Sequence, residues 1–432
     1  MRVYLMILLM CGLSFGFDLI EMSAPKQTQP KVLIIGGIQG DEPGGFNAIN
    51  LFLQHYQILE GAVLAIPNLN HFSIMRNHRG IYGDMNRKFS TLSPKDEEYQ
   101  IVERVKNIIV RDDVDFVFHL HDGSGFYRKE YIDKEFNPNK WGNCSIIDQE
   151  VVDGIKYGDL LKVSNAVVAN INQGLLKAEH RYHIHNTHTA KGDREMEKAL
   201  TYFAVRHNKP AVANEASKNL PVKERVYYHL LAIEGMLQAI GVRYQRDFDL
   251  TPNAIDRLIN DRKSWVKITP LIELPLFDLQ KNLTFFPFPS GVKPDGLKLD
   301  SNQYITGLVS KEKNIVLKYG NRVMTTLTPL YLKFATEVSQ FEFEIDGVKQ
   351  QVKAGSIVKA RKFFKVEEDS LRAQQRVNII GYQGVRRNEA GERVGLNKLI
   401  KRYAIDKQGK KYRVEFYEGD VFLGMVVVDF GL

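Results

Sequence analysis

The stretch that decides the fold is KVLIIGGIQGDE, residues 31–42, in which an apolar run leads into a polar turn. Residues 31–37 form a short, mostly apolar run that ends in two glycines, which is typical of a buried strand. Residues 43–57 repeat apolar side chains at helical spacing, namely Phe46, Ile49, Leu53 and Tyr56. We therefore predict a strand, a turn and a helix in succession, as in an α/β sheet covered on both faces.

The turn itself carries two candidate metal ligands, Gln39 and Glu42. Three residues apart on a strand-to-helix turn, they can aim two oxygens at one point, and Gly40 lets the backbone bend there. An amide oxygen is an unusual zinc ligand that withdraws less charge from the metal than an imidazole or carboxylate. Taken alone, the turn is more simply explained by Asp41 and Glu42 capping the following helix.

A second apolar strand is predicted over Val114–Leu120, and a polar segment, His121-Asp122-Gly123, follows it. Open α/β sheets bind their ligands at this end of their strands. His119 and His121 are two apart and therefore point to the same sheet face. We expect His121, nearer the end, to be the third metal ligand and His119 to be buried below it. A lone His on such a strand is usually structural, but this one follows the Gln-x-x-Glu turn.

Glu215 ends a third strand, Pro210–Ala216, which follows a helix predicted over Arg194–Asn208. Ala211, Ala213 and Glu215 share one face of that strand. A carboxylate is costly to bury on a face otherwise lined by alanine, which favours a function over a salt-bridged strand end.

Together these segments resemble the zinc carboxypeptidase superfamily, which includes carboxypeptidase A and the succinylglutamate desuccinylases. The family order is His-x-x-Glu, Asn-Arg, His and Glu, and the match spans roughly residues 30–240. Gln39 stands where the family normally has His. With the length and the C-terminal extension, this substitution makes the chain similar to the periplasmic D,L-carboxypeptidases that set helical cell shape in curved Gram-negative bacteria.

The resemblance implies one zinc per chain, held by Gln39, Glu42 and His121, with Glu215 as general base and acid. The implied fold is an α/β carboxypeptidase-like domain with a mixed sheet between helices.

The resemblance also assigns the substrate's terminal carboxylate to Asn86 and Arg87, because a planar guanidinium suits that bidentate contact. Without the resemblance, the segment Asp84-Met85-Asn86-Arg87 is equally well interpreted as a polar surface turn. Arg79, with Arg76 as the alternative, is expected to stabilise the oxyanion of the tetrahedral intermediate. Surface solvation would explain either arginine just as simply.

The activity implied by the resemblance is cleavage of peptidoglycan stem peptides between γ-D-glutamate and meso-diaminopimelate, which converts muramyl tripeptide to dipeptide. Two alternatives stay open. One is a desuccinylase-type amidohydrolase acting on a small acylated amino acid, and the other is a wall-binding scaffold with a dead metal site.

Four of the eleven histidines fall in HRYHIHNTH, residues 180–188. The segment alternates like a strand and has no acidic companion at ligand spacing. We interpret it as a wall of the substrate pocket rather than a second metal site.

The first residues, Met1–Gly16, have one charge and an apolar stretch, as in a secretory signal peptide, and are too short to span a membrane. We therefore expect a periplasmic protein without a membrane span. Loss of Cys11 with the signal leaves Cys144 and hence no intramolecular disulfide. The formal charge of +8 suits an acidic partner such as the cell wall. Nucleic acid is excluded by the secretion signal and by the lack of a clustered basic helix.

The chain of 432 residues is too long for one compact domain. After the signal we predict the catalytic domain over 17–247 and two small all-β domains over 248–335 and 336–432. Beyond one short helix near 254–263, this half reads as strands and turns. One hairpin is predicted at Asp346-Gly347, after the alternating Phe341, Phe343 and Ile345.

Overall fold

The computed structural model describes residues 16–25 and 30–431. The predicted signal peptide, apart from Gly16, lies outside the described residues. Within the described ranges, no helix is both long enough and apolar enough to cross a membrane.

Among the described residues, the first part of the chain contains these strands: β1 (Ile20–Ser23), β2 (Lys31–Ile35), β3 (Tyr56–Glu60), β4 (Ala62–Ile66), β5 (Phe116–Gly123), β6 (Phe126–Tyr127), β7 (Phe136–Asn137), β8 (Cys144–Ile147), β9 (His183–Asn186), β10 (Ala211–Ser217) and β11 (Arg243–Arg246). Its helices are α1 (Pro43–His55), α2 (His71–Arg76), α3 (Tyr99–Ile109), α4 (Leu160–Gln173), α5 (Leu200–Arg206), α6 (Val222–Ile240) and α7 (Pro252–Leu258).

Seven of these strands form one mixed sheet in the order β1-β4-β2-β5-β10-β8-β9. The four central strands, β4, β2, β5 and β10, run parallel, whereas β1 pairs antiparallel with β4 and β8 pairs antiparallel with β10. The edge strand β9 pairs parallel with β8. Helices cover both faces. On one face Asp122 of β5 meets α1 and α6, and on the other His119 of β5 meets Thr201 of α5. The predicted α/β domain with a mixed sheet between helices is confirmed.

Residues Lys95–Val110, which follow Ser93 and Pro94 and include Asp96 in the first turn, predict a helix, but α3 begins later, at Tyr99. The carboxylate of Asp96 accepts a hydrogen bond from the Glu98 backbone N–H and another from the Lys88 ammonium, at 2.9 and 2.8 Å. It therefore holds a turn instead of capping a helix, and the predicted start at Lys95 is wrong.

The helix predicted over Arg194–Asn208 is also shorter. A 3-10 turn, Met196–Lys198, precedes α5, and the backbone between them is extended at Ala199. The Leu200 N–H, the first of α5, donates to the side-chain oxygen of Asn86 at 3.1 Å. A residue more than a hundred positions away thus sets where the helix starts.

The second part of the chain is almost entirely β-structure: β12 (Trp265–Thr269), β13 (Ile272–Pro275), β14 (Asn282–Pro289), β15 (Asp300–Ser301), β16 (Thr306–Lys311), β17 (Asn314–Tyr319), β18 (Arg322–Phe334), β19 (Gln340–Ile345), β20 (Val348–Lys353), β21 (Ser356–Lys359), β22 (Phe364–Val366), β23 (Gln375–Ile379), β24 (Lys411–Glu418) and β25 (Val421–Asp429). The hairpin predicted at Asp346-Gly347 joins β19 to β20.

The long strand β18 connects the two predicted β domains. Its first residues pair with β17, residues 326–332 pair with β14, and its last two, Lys333 and Phe334, pair with β25. A single buried apolar cluster extends across this half and also takes in Phe46, Ile74 and Met75 of the first part. The boundaries near residues 247 and 336 stay predictions.

Polar side chains join α1 to the β half. Asn50, fully buried, donates to the Gln303 side-chain oxygen at 2.8 Å and to the Tyr319 hydroxyl at 3.2 Å. Its own oxygen accepts the Tyr304 N–H at 2.9 Å. Because burial without a partner is costly, these bonds fix how the β half sits on the catalytic sheet.

We expect Asn50→Leu to lower the free energy of unfolding by about 1–3 kcal/mol, because it leaves buried partners unpaired. Tyr319→Phe should cost less, since Asn50 keeps Gln303. Denaturant unfolding of both variants measures the difference. Equal stability of Asn50→Leu and the wild type would contradict the coupling.

Candidate active site

The candidate site lies where β5 and β10 end, next to the turn that enters α1. His121 of β5 and Glu215 of β10 are direct register partners on parallel strands, so their side chains share a sheet face. The turn from β2 brings Gln39 and Glu42 to the same edge. All four residues are at least nine-tenths buried.

Gly40 is needed in this turn, but for a different reason from the one predicted. A Cβ built on Gly40 would lie 2.1 Å from the backbone carbon of Ser73 in α2. The constraint is therefore close backbone approach, and Gly40 is not among the residues with positive φ.

The amide of Gln39 is oriented by one neighbour. Its NH₂ group donates to the Asp84 carboxylate at 2.8 Å. This leaves its oxygen, Oε1, buried and without a hydrogen-bond partner. A buried polar atom without a partner is costly, so the free oxygen points to a missing ligand.

Glu42 and His121 are in direct contact. Glu42 Oε2 lies 3.0 Å from His121 Nδ1. The other ring nitrogen, Nε2, lies 2.8 Å from Nδ1 of the buried His119, and His119 Nε2 is 2.9 Å from the Thr201 hydroxyl. The chain of contacts through His119 fixes the ring of His121 and leaves its Nδ1 facing Glu42.

Burial dominates the protonation of these groups. It raises the pKa of Glu42 to about 8, and the charges of Lys218 and Arg79 oppose the rise. It also raises the pKa of Glu215 well above its usual range, with the Glu42 and Asp122 charges adding to the effect. The pKa of His121 falls to about 3 for the same reason. The site thus holds neutral imidazoles and carboxyls that resist ionisation.

The structure separates the two candidate arginines. Arg79 Nη1 lies 3.3 Å from Glu42 Oε1, and its Nη2 donates to Asp84 at 2.8 Å. Arg76 instead pairs with Asp295 of the β half at 2.6 Å and stacks on Phe72. Of these two arginines, Arg79 is the one that faces the site.

Asn86 and Arg87 lie in a 3-10 turn, Met85–Arg87, that Asp84 caps. The Asn86 oxygen serves α5, as described above, and its NH₂ group makes none of the side-chain hydrogen bonds among the described residues. Arg87 is half-buried and donates to the Asn86 carbonyl at 3.1 Å. None of the ion pairs within the described ranges involves it.

Sequence reasoning missed a buried network on the opposite face of β5. Asp122 accepts the Gly44 N–H of α1 at 2.8 Å, and it also contacts Arg225 at 3.1 Å and His229 at 3.0 Å. Glu42 itself makes no capping hydrogen bond to α1, so the simple capping alternative for its side chain does not hold. The available signal was the four-residue spacing of Arg225 and His229, which puts both on one helix face.

Lys218 was also missed. It follows β10, and its ammonium lies 2.8 Å from an Asp41 oxygen and 3.5 Å from Glu42 Oε1. Arg79 and Lys218 thus flank the same Glu42 oxygen.

The histidine-rich segment forms the edge strand β9, as its alternation indicated. His185 stacks on Tyr127 with ring centres 4.1 Å apart, and burial lowers the pKa of both His183 and His185 to about 4. The register places His183 beside Cys144, which pairs with Glu215. His183 and His185, two residues apart, therefore lie on the sheet face of Glu215. The role of the segment as a pocket wall stays a prediction.

In the described part of the chain, no three His, Cys, Asp or Glu side chains are grouped to hold a metal ion. The candidate set here is different because it includes an amide, Gln39. The residues fit a metal. Gln39 Oε1 has no partner, and the Glu42–His121 separation of 3.0 Å is close to the ~3.3 Å between two ligands of a tetrahedral zinc.

Three family models match this chain. A model described as the catalytic part of a carboxypeptidase controlling helical cell shape matches residues 1–260. A β-barrel domain of such carboxypeptidases matches residues 261–333, and a C-terminal domain of a metallo-carboxypeptidase matches 334–431. A comparison with curated protein sequences gave no match.

Solved structures of the cell shape determinant protein Csd4 from Helicobacter pylori are similar along almost the whole chain. The apo structure is 44% identical, covers 96% of this chain and 100% of its own, and has a TM-score of 0.93. The tripeptide-bound structure gives 45% identity with the same coverage and TM-score. The mDAP-bound form, described as a D,L-carboxypeptidase, is 45% identical over 95% of this chain and 100% of its own, with a TM-score of 0.93.

Fold and comparisons together define a metallo-carboxypeptidase. The chain belongs to the family of carboxypeptidases that control helical cell shape, since that family's catalytic model matches more than half of it.

The raised pKa of Glu42 predicts how metal-free protein responds to pH. The folded state retains a proton that the unfolded state releases above an ordinary pKa of 4.5, so stability falls as pH rises toward 8. His121 has an opposite effect that ends near its ordinary pKa of 6.5. Between pH 6.5 and 8 we expect Glu42 to contribute a loss of up to about 1.4 kcal/mol per pH unit, beside that from Glu215, whose pKa is also raised.

Thermal melts of chelator-treated protein across that range measure the slope. Glu42→Gln should make the slope smaller, because the amide does not titrate, while Glu215 still contributes. An unchanged slope in this variant would contradict the assignment to Glu42.

Proposed function

We propose that this protein is a zinc-dependent D,L-carboxypeptidase that trims peptidoglycan stem peptides in the periplasm and thereby influences cell shape. The reaction would release meso-diaminopimelate from muramyl tripeptide and leave the dipeptide. The observation that carries the proposal is the partnerless buried oxygen of Gln39 beside the Glu42–His121 pair. The tripeptide and mDAP bound by a relative of 45% identity support the substrate class.

Gln39, Glu42 and His121 would hold the zinc. Asp84 supports this role for Gln39, because it takes up the amide hydrogens and leaves the oxygen for the metal. His119 and Thr201 give His121 the supporting contact that metal-bound imidazoles usually have. Zinc bound there would supply Lewis acidity, which favours water as a nucleophile at neutral pH and polarises the scissile carbonyl.

Glu215 would move the protons. Its Oε2 is buried without a partner, and its raised pKa means that the ionised carboxylate binds a proton strongly. It would take a proton from the attacking water and deliver it to the leaving amine nitrogen. Arg79, held toward the site by Asp84 and Glu42, would donate to the oxyanion.

The terminal carboxylate of the substrate would be bound by the Arg87 guanidinium and the Asn86 NH₂ group. Arg87 suits this task because it is half-buried and lacks an ion-pair partner within the described ranges. The predicted signal at residues 1–16 supports the periplasmic location. Membership of a carboxypeptidase family favours this activity over the desuccinylase and scaffold alternatives.

Metal content tests the ligand set directly. We expect one zinc per wild-type chain and substoichiometric zinc in His121→Ala, because only two of three protein ligands remain. Gln39→His should retain or tighten binding, since imidazole is the more usual ligand. Elemental analysis and chelator titration give both quantities, and unchanged zinc in His121→Ala would remove His121 from the site.

Activity tests Glu215. Glu215→Gln keeps the size of the side chain but cannot accept a proton, so we expect turnover of muramyl tripeptide to fall by roughly 10²–10⁴-fold with zinc still bound. Dipeptide formation is followed by mass spectrometry, beside a thermal melt and a zinc assay.

Wild-type turnover by a folded, zinc-loaded Glu215→Gln protein would exclude Glu215 from the mechanism. Absence of turnover by the wild type on every stem peptide would instead reject the proposed function.

A further inference from the structure

Asp148 is a buried carboxyl that the proposed mechanism does not use. It directly follows β8 and is 2% exposed, and none of the ion pairs among the described residues includes it. Its Oδ1 accepts from the hydroxyl of Thr187 at 2.9 Å and from the hydroxyl of Thr189, whereas its Oδ2 is buried without a hydrogen-bond partner. A carboxyl buried without a cation is costly, which points to a task beyond filling space.

The two hydroxyls belong to the start of a segment, residues 187–199, that connects β9 with α5. Thr187 is also held through its backbone, because its N–H donates to the Ile147 carbonyl at 2.9 Å. The 187–199 segment contains only two short 3-10 turns, Thr189–Lys191 and Met196–Lys198. An irregular segment has no hydrogen-bond ladder of its own, so its anchored ends decide where it lies.

The other end of the 187–199 segment lies against the turn that carries Asn86 and Arg87. The Lys198 carbonyl accepts the Phe89 N–H at 2.9 Å, just after that turn. The sulfur of Met196 lies 3.7 Å from Arg87 Nη2. The residues proposed to bind the terminal carboxylate of the substrate therefore have this segment as a direct neighbour.

A continuous series of hydrogen bonds joins the two ends of the segment. The Asp193 N–H donates to the Thr189 carbonyl at 3.2 Å, and the Asp193 carboxylate accepts the Met196 N–H at 3.1 Å. The series thus begins at Asp148 and ends at the sulfur of Met196 beside Arg87. Direct contacts of this kind can transmit a change at one end to the other.

We propose that Asp148 is a positioning residue that, by binding Thr189, holds Arg87 where it can bind the terminal carboxylate of the substrate. This inference rests on the proposed function and adds a residue that acts through other side chains. The terminal carboxylate keeps its charge throughout cleavage, so its contact with Arg87 is as strong in the bound substrate as in the transition state. Misplacing Arg87 should therefore raise KM and leave kcat nearly unchanged.

The test measures kcat and KM for muramyl tripeptide on the full-length, zinc-loaded protein. Thr189→Val keeps the shape of the side chain but removes the hydroxyl, and we expect KM to rise by about 3–30-fold with kcat within about twofold of the wild type. Thr189→Ser keeps the hydroxyl and should restore most of the wild-type KM. Asp148→Leu removes the acceptor of the same bond and should resemble Thr189→Val. Thr325→Val is the matched control, because Thr325 is as fully buried as Thr189 but lies on β18.

A further variant tests the route from Thr189 to Arg87. Asp193→Ala removes the acceptor of the Met196 N–H, and because Asp193 is exposed the variant should fold like the wild type. It should also raise KM. If both changes loosen the same segment, Asp193→Ala combined with Thr189→Val raises KM by less than the product of the two single effects. Melting temperature and zinc content confirm that each variant is folded and loaded.

Several results would overturn the proposal. One is an unchanged KM in Thr189→Val, and another is a KM in Thr189→Ser as high as in Thr189→Val. A fall in kcat equal to the fall in kcat/KM would show that Thr189 supports the reacting groups and not the carboxylate contact. A full product of effects in the double variant would mean that Thr189 and Asp193 act independently. Absence of cleavage by the wild type would instead reject the proposed function, and the inference with it.

Discussion

The geometry of the site depends on the buried carboxylate of Asp122. It accepts the Gly44 N–H near the start of α1 and binds Arg225, which also donates to the carbonyls of Lys218 and Leu220 after β10. One side chain thus ties together the three segments that supply Glu42, His121 and Glu215. Because Asp122 satisfies the helix terminus, the Glu42 carboxylate is free to face the site instead of capping its own helix.

The Asp122 network and the candidate site lie on opposite faces of strand β5. Alternation along β5 sends His119 and His121 toward α5 and Asp122 toward α1 and α6. The hydrogen bond with His229 and the charge of Arg225 keep the pKa of Asp122 low although burial alone would raise it. Lys218 and Arg79 offset the effect of burial on Glu42 only in part, and its pKa is raised. One layer therefore holds a fixed anion for structure, and the other holds groups whose protonation can change during a reaction.

Local pattern predicted the strands and the order of the site segments well. Residues 31–37 and 114–120 were recognisable because buried parallel strands are continuous apolar runs. The start of α5 was not recognisable, since it is set by Asn86 from a distant turn. Two partners of Asp122, Gly44 and Arg225, lie 78 and 103 residues away in the sequence. A local sequence pattern does not predict contacts over such separations. Gly40 was found, but the reason for it, the backbone of α2, becomes visible only in three dimensions.

Cys144 pairs in register with Glu215, and its thiol donates to the Trp141 carbonyl at 3.0 Å. Burial raises the pKa of this thiol well above its usual range, and the neighbouring Glu215 charge adds to that rise. Thiolate is the nucleophilic form that reacts with oxidants and attacks disulfides, so the raised pKa and the burial make the one described cysteine of the folded enzyme unreactive. A thiol held in this form does not readily enter covalent dimers, and the sulfur becomes reactive when the part of the sheet beside Glu215 opens.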